Sequence, residues 1–233
     1  QGEFDDERPG ALLHVRHDQH GSATLPHPRG PATTVGRVLL NTARLRLRPV
    51  EPTDLHRLTA LDADPEVMRF VSGGPATSEA TIADWVIPRM QSQQREHGTG
   101  MWVLSAVAPP EGTPAGGGDF LGWVQLRTPR HSAAGELELS YRLHRWAWGH
   151  GYASEAAAAL IAVMFTGTGA TRIFAGTHVV HTASRRVMER LGMRLAADTD
   201  AAALTRPEAV VEYELLREQW LSTRGRGAVS RTA

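Results

Sequence analysis

Between Trp146 and Ala156 the chain reads WAWGHGYASEA, with two glycines two residues apart just before an alanine-rich run. A strand that enters a glycine-rich turn and then a helix makes an anion site. Exposed backbone N–H groups and the positive end of the helix dipole converge on one point. The turn here is Trp148, Gly149, His150, Gly151, Tyr152 and Ala153, with the helix expected from about Ser154. Gly151 and Ala153 carry little or no side chain, so a pyrophosphate can approach the backbone closely.

Three kinds of pyrophosphate ligand compete for such a cradle. A dinucleotide fingerprint needs Gly-x-Gly-x-x-Gly within a βαβ unit of a parallel sheet. Here Ser154 stands where the third glycine belongs, and three strands joined by hairpins come first. A P-loop needs a lysine, and the sequence has none: its 25 Lys+Arg residues are all arginine. The remaining ligand of this kind is coenzyme A.

Other absences narrow the chemistry further. Without lysine there is no Schiff base, and without cysteine there is no thiolate nucleophile, disulfide or thiolate metal site. Acidic and basic residues balance at 25 each, which gives no electrostatic argument for nucleic acid or an anionic membrane. No apolar run reaches bilayer length and no signal-peptide core opens the chain, so a cytoplasmic location is expected. His14, His17 and His20 are spaced by three, but no carboxylate or cysteine completes a ligand set, and no metal is expected.

These residues must be positioned by an α/β (α+β) domain. ARLRLRPV alternates apolar and basic residues as a half-buried strand does, and Pro52 then opens a helix with Leu55, Leu58 and Leu61 on one face. A second helix starts at the cap candidates Thr77 and Ser78 and is disturbed at Pro88. MWVLSAVA and FLGWVQL form a hairpin, and GELELSYRL alternates as a third strand. ASEAAAALIAVMF is a helix, RIFAGTHV a strand, and HTASRRVMERLG a helix ending at Gly192; MRLAAD and VVEYELLREQW are closing strands. The order is β-α-α-β-β-β-α-β-α-β-β, one domain over residues 42–221. Before it, residues 1–41 combine QGEF, which has the look of a cloning scar, with an extension rich in Pro, Gly and His. After it, residues 222–233 read as a flexible tail.

At this point the sequence resembles a known family. ELELSYRLHRWAWGHGYASEAAAAL is similar to motif A of the GNAT superfamily of N-acetyltransferases. Within it, the resemblance is to ribosomal-protein alanine N-acetyltransferases of the RimJ/RimL type, which typically read vElGYwl…yWGqGyAtEA. HTASRRVMERLGM resembles that branch's second signature, N-x-A-S…v-l-e-k-l-G-F, and the opening and closing strands resemble its ends, so the likeness spans Thr42–Leu221. It implies a mixed, mostly antiparallel sheet flanked by helices, with acetyl-CoA as co-substrate. It also implies acetyl transfer to a protein N-terminus or a small amine. A non-catalytic acyl-CoA-binding protein on the same fold is the alternative.

The resemblance also suggests roles for individual residues. Coenzyme contacts fall on Tyr141, Arg142, Leu143, Trp148, Gly149, His150, Gly151, Tyr152, Ala153, Ser154, His181 and Ser184. The backbone N–H groups of Tyr141–Leu143 would polarise the thioester carbonyl. Trp148 occupies a usual Gln/Arg position, and His181 stands where relatives use Asn on the pantetheine arm, so its protonation would matter near neutral pH. With no cysteine, direct attack by the amine in a ternary complex is favoured.

Glu136 and Glu138 share a strand face and are candidate general bases, with Glu138 matching the branch. Ser184 matches the family's serine near the sulfur, the competing reading being an N-cap of a helix over 184–191; Tyr141 is a second candidate acid. Arg185 and Arg186 are candidates for a coenzyme phosphate. Trp85, Trp102 and Trp123 are core or rim residues, one of which would wall the acceptor pocket. Acceptor specificity is assigned to the loops Val71–Ala76 and Pro129–Gly135. The segment Asp5–Asn41 reads as an arm that occludes or completes the acceptor site, and a homodimer is compatible with this.

Overall fold

The computed structural model describes residues 39–229 apart from 109, 112, 114–118, 130 and 131, and without the side chains of 201 and 225–229. The histidine triplet and almost all of the N-terminal extension therefore lie outside the described residues. Among the described residues, eight strands form one sheet in the order β1-β2-β3-β4-β5-β6-β8-β7. They are β1 (Leu40–Asn41), β2 (Leu45–Pro49), β3 (Gly100–Ala106), β4 (Phe120–Arg127), β5 (Glu136–Leu143), β6 (Arg172–His178), β7 (Arg194–Leu195) and β8 (Val210–Leu216). All neighbours are antiparallel except β5 and β6.

The helices are α1 (Leu55–Asp62), α2 (Pro65–Met68), α3 (Glu79–Thr81), α4 (Ile87–His97), α5 (Tyr152–Gly167), α6 (Thr182–Arg190) and α7 (Arg217–Val229). Two apolar clusters sandwich the sheet. On one face Leu45, Leu47, Trp102, Leu104, Leu137 and Leu139 pack against Leu160, Ile161, Met164 and Phe165 of α5. On the other, Met101, Val103 and Trp123 pack against Leu58, Leu61, Ile82, Ile87 and Met90. Side-chain alternation therefore decides which residues of β5 see which face. Leu137, Leu139, Tyr141 and Leu143 belong with α5, while Glu136, Glu138, Ser140 and Arg142 point the other way.

Pro88 does disturb its helix. It has no N–H to offer, and a π-helical segment, Ile82–Val86, sits just before it, with Ile87 N–H bonded to Ile82 O. Gly192 ends α6 as expected, with φ +81, its N–H on Glu189 O and Met193 N–H on Met188 O. Several boundaries differ from the sequence reading. Leu40–Asn41, assigned to the extension, pairs with β2. β8 stops at Leu216, and α7 runs to Val229 where strand and then flexible tail are expected from sequence. The reason is tertiary: Trp220 packs on Phe165 at 5.4 Å, and Arg217 Nε donates to Phe165 O at 2.7 Å.

Candidate active site

The site begins where two strands part. β5 and β6 pair only through Glu136–Arg172, Leu137–Ile173 and Glu138–Phe174, yet β5 continues to Leu143 and β6 to His178. Beyond Glu138 the strands diverge, and β5 keeps its antiparallel bonds to β4 on its other edge. That leaves the β6-side edge of Leu139–Leu143 open toward the cleft, as the placement of an acceptor oxygen at Tyr141–Leu143 requires. β4 follows β5 closely because Gly122, at φ +140, lets the backbones approach; a Cβ there would lie 2.1 Å from Arg142 O.

The chain leaves β5 through a 3-10 turn at Arg145–Ala147 into the glycine turn. Trp148 Nε1 donates to Leu143 O at 2.8 Å, fastening the turn to the strand end, and its ring is exposed. Gly149 and Gly151 both adopt left-handed φ, +81 and +79, and no atom lies within 4 Å of a Cβ built on Gly149. α5 starts at Tyr152, two residues earlier than expected, with Gly151 as N-cap and no side-chain cap. Glu155 N–H makes the first helical bond, to Gly151 O, so Tyr152, Ala153 and Ser154 present N–H groups with no intrahelical acceptor. Ser154 Oγ is buried and without a partner. Open space over Gly149, the unbonded amides and an orphaned hydroxyl together fit an incoming diphosphate.

A latch from the chain's beginning holds this cradle. Arg44 Nε bonds Glu155 Oε2 at 2.8 Å and its Nη1 bonds His150 O at 2.9 Å, with the guanidinium 4.8 Å from the Tyr152 ring centroid. Thr42 Oγ1 adds a bond to Glu155 Oε1 at 2.5 Å. Burial would raise the Glu155 carboxyl, but these donors outweigh it and hold it below its usual range. Sequence reading missed this pair because the two residues are over a hundred positions apart.

Across the cleft stands the start of α6. Ser184 is buried, and its Oγ lies 2.9 Å from Tyr141 Oη, which also donates to Ser184 O at 3.1 Å. The N-cap of α6 is His181, without a side-chain cap bond, so Ser184 is not the cap. Burial, partly offset by the bond to Ser184, pushes the Tyr141 phenol above its ordinary value. His181 stacks on Phe70 at 4.1 Å and 18°. Burial and its neighbours His178 and Arg69 hold its imidazole at about 4, so the ring is neutral at pH 7.

A model of the acetyltransferase (GNAT) domain matches residues 44–194. The chain belongs to the GNAT acetyltransferase family. A relative from Aspergillus fumigatus, FsC-acetyl coenzyme A-N(2)-transacetylase, is 30% identical over 197 residues, covering 78% of this chain and 77% of its own. The solved GNAT-family acetyltransferase from Bacillus anthracis superposes with a TM-score of 0.59 at 22% identity, over 78% of this chain and 99% of that one. The spermidine N-acetyltransferase of Vibrio cholerae, solved with CoA and spermine, gives 0.58 at 16%, over 77% and 99%.

Within this acetyltransferase, the structure separates the residues that sequence grouped. Tyr141 and Ser184 meet across the divergence, His181 stands at the N-cap of the same helix α6 with its ring on Phe70, and Trp148–Ser154 form the glycine turn and the start of α5. Arg142 contributes its backbone to the cleft, but its side chain lies on the opposite face, paired with Asp62 and 5.0 Å from the Trp123 ring centroid. Glu138 is also on that face, in an ion pair with Arg127 at 2.6 Å, and Glu136 pairs with Arg172 at 3.1 Å. Arg185 is spent on Tyr213 Oη and Val179 O rather than facing the cradle, whereas Arg186 is exposed. Of the tryptophans, Trp102 is core, while Trp85 and Trp123 wall a pocket.

That pocket, about 80 Å³, lies between the sheet, α1 and the α3–α4 segment. Its walls include Leu58, Ile82, Trp85, Met90, Met101 and Trp123, and its polar floor is Asp62, Gln125, Arg127 and Arg142. Two ion pairs fix the adjacent lip to β5 and the turn after it: Arg142 with Asp62, and Arg145 with Asp64 at 2.7 Å.

Proposed function

We propose that this acetyltransferase transfers acetyl from acetyl-CoA to a primary amine on a small molecule, by direct attack within a ternary complex. The observation that carries the reading is the junction of the β5–β6 divergence with the positive-φ glycine cradle at the start of α5. Acetyl-CoA supplies an activated thioester and a diphosphate. The amides of Tyr152, Ala153 and Ser154, with the dipole of the 16-residue α5, would hold the diphosphate. Amides on the open edge of β5 at Tyr141–Leu143 would bond the thioester oxygen as it gains charge.

The hydroxyl pair Tyr141–Ser184 suits the sulfur side. A thiol of ordinary acidity, about 8.5, is a stronger acid than a phenol whose value is raised above 10. Full proton transfer from Tyr141 to a departing thiolate is thus uphill, and the pair acts by hydrogen-bond donation. The thiolate's proton comes from the attacking nitrogen, which must lose one as the amide forms. On the acceptor face Glu138 is already bonded to Arg127, so the role that suits it is to hold that guanidinium on the pocket floor. His181, neutral and stacked, would offer a ring nitrogen to the pantetheine arm where relatives offer an Asn amide.

The N(2)-transacetylase name of the fungal relative supports acetyl transfer from the coenzyme to nitrogen. The RimJ/RimL resemblance would make the acceptor a protein N-terminus instead. Incubation with acetyl-CoA and a panel of small amines and peptides, with free thiol followed over time, tests the reading. Amine-dependent thiol release is expected. Tight coenzyme binding with no release across the panel overturns it in favour of a non-catalytic acyl-CoA-binding protein.

A further inference from the structure

We infer that the acceptor is a primary amine carried on an apolar body with no second positive charge, and that polyamines are poor substrates. This rests on the acetyltransferase reading and assigns the substrate class of the pocket between the sheet and α1–α4. The pocket reaches the reacting centre through one strand. Arg142 forms part of its floor, and the flanking Tyr141 and Leu143 bound the open edge of β5. Consecutive Cα atoms are about 3.8 Å apart, so the pocket floor and the carbonyl site are two sides of the same three residues.

The lining decides what fits. Its walls are mostly aliphatic, aromatic or thioether, which favours a buried apolar group. Among the described residues lining it, the single carboxylate is Asp62, 4% exposed and already paired with Arg142. Glu138, close to the floor, is paired with Arg127. A second ammonium on the substrate would find no uncommitted carboxylate among the described residues that line the pocket, because Asp62 is already spent on Arg142 and the nearby Glu138 on Arg127. Stacking offers little more, because each indole already carries a guanidinium: Arg89 at 4.9 Å from Trp85 and Arg142 at 5.0 Å from Trp123.

The same surroundings help the chemistry. Apolar walls disfavour an ammonium ion by desolvation, and the free amine is the form that attacks. The pocket therefore favours the reactive form of a monoamine, and a polyamine would bring a second charge for which the pocket lining holds no free carboxylate.

The test compares 2-phenylethylamine, spermidine and an alanine-initiated hexapeptide as acceptors, with acetyl-CoA saturating and thiol release as the readout. The expected result is a kcat/KM for 2-phenylethylamine at least about 30-fold above that for spermidine, a difference of about 2 kcal/mol. Trp85→Glu, at a half-exposed wall position where folding is tolerant, is expected to narrow that ratio at least tenfold. Preference for spermidine or the hexapeptide, or an unchanged ratio in Trp85→Glu, overturns the substrate class and leaves the acetyltransferase reading standing. No thiol release with any amine overturns both.

Discussion

Tyr141 Oη and Ser184 Oγ lie 2.9 Å apart across the divergence of β5 and β6, joining a strand to a helix 43 positions away. Ser184 is buried and Tyr141 partly so, and each hydroxyl is the other's partner, so the two act as a unit. Tyr141→Phe and Ser184→Ala are each expected to lower kcat about 10- to 100-fold with little change in KM for acetyl-CoA, as loss of a bond made mainly in the transition state does. The double variant should lose little more than either single one. Additive losses would show two independent roles.

Gly151→Ala forces a left-handed backbone on a residue with a Cβ, at about 1–2 kcal/mol, and adds a methyl group at the cradle. A lower thermal midpoint and a KM for acetyl-CoA raised about tenfold are expected, with kcat nearly kept. Calorimetric titration with coenzyme A checks the same loss without turnover.

Glu138→Gln separates base from brace. Because the carboxylate is bonded to Arg127 at 2.6 Å and both side chains are largely buried, its loss strands a charge and should lower stability by about 2–4 kcal/mol. The fall in kcat at 15 °C should stay within about tenfold, and the shape of the pH–rate profile should persist. Loss of the acidic limb of that profile would make Glu138 the base.

The imidazole of His181 is held at about 4, against an ordinary value of 6.5. The unfolded chain therefore takes up a proton between those values while the folded chain does not. Stability is complete above pH 6.5 and is lost as pH falls toward 4. His181→Asn should remove that loss between pH 6.5 and 5, as read from thermal midpoints at the two ends. Glu155, whose value is likewise lowered, weakens the fold only as pH falls below the ordinary carboxylate range.

Arg44→Ala breaks the latch on the cradle. Arg44 is about half exposed, so solvent screens the pair with Glu155 and the stability cost should stay under about 1 kcal/mol. Its positioning role predicts a larger effect on coenzyme KM, about three- to tenfold, with kcat unchanged. Arg44→Lys should rescue it only in part, because a lysine cannot span Glu155 and His150 O together.

Local pattern in the sequence was enough to write the order of the main elements, though not β1, α2 or α7. Alternation in the strand GELELSYRL, the alanine-rich run of α5 and Gly192 at the end of α6 each follow from short-range rules that hold wherever the chain lies. The sharp turn before α5 was equally legible, because Gly149 and Gly151 act through their own φ angles. What the sequence could not decide is which face each side chain sees and whom it meets there. Glu138 and Tyr141 are three residues apart, yet the pleat sends them to opposite sides of the sheet. There Glu138 finds Arg127 and Tyr141 finds Ser184. The latch between Arg44 and Glu155, the stack of Phe70 on His181 and the pairing of Asp62 with Arg142 likewise join residues far apart in the chain. Such contacts leave no periodic trace, and they settle whether a carboxylate or imidazole is free to react. The sequence by itself determined the main scaffold and the positive-φ glycine turn before α5; tertiary packing decided which charged groups are spent on structure and which side chains line the pocket beside β5.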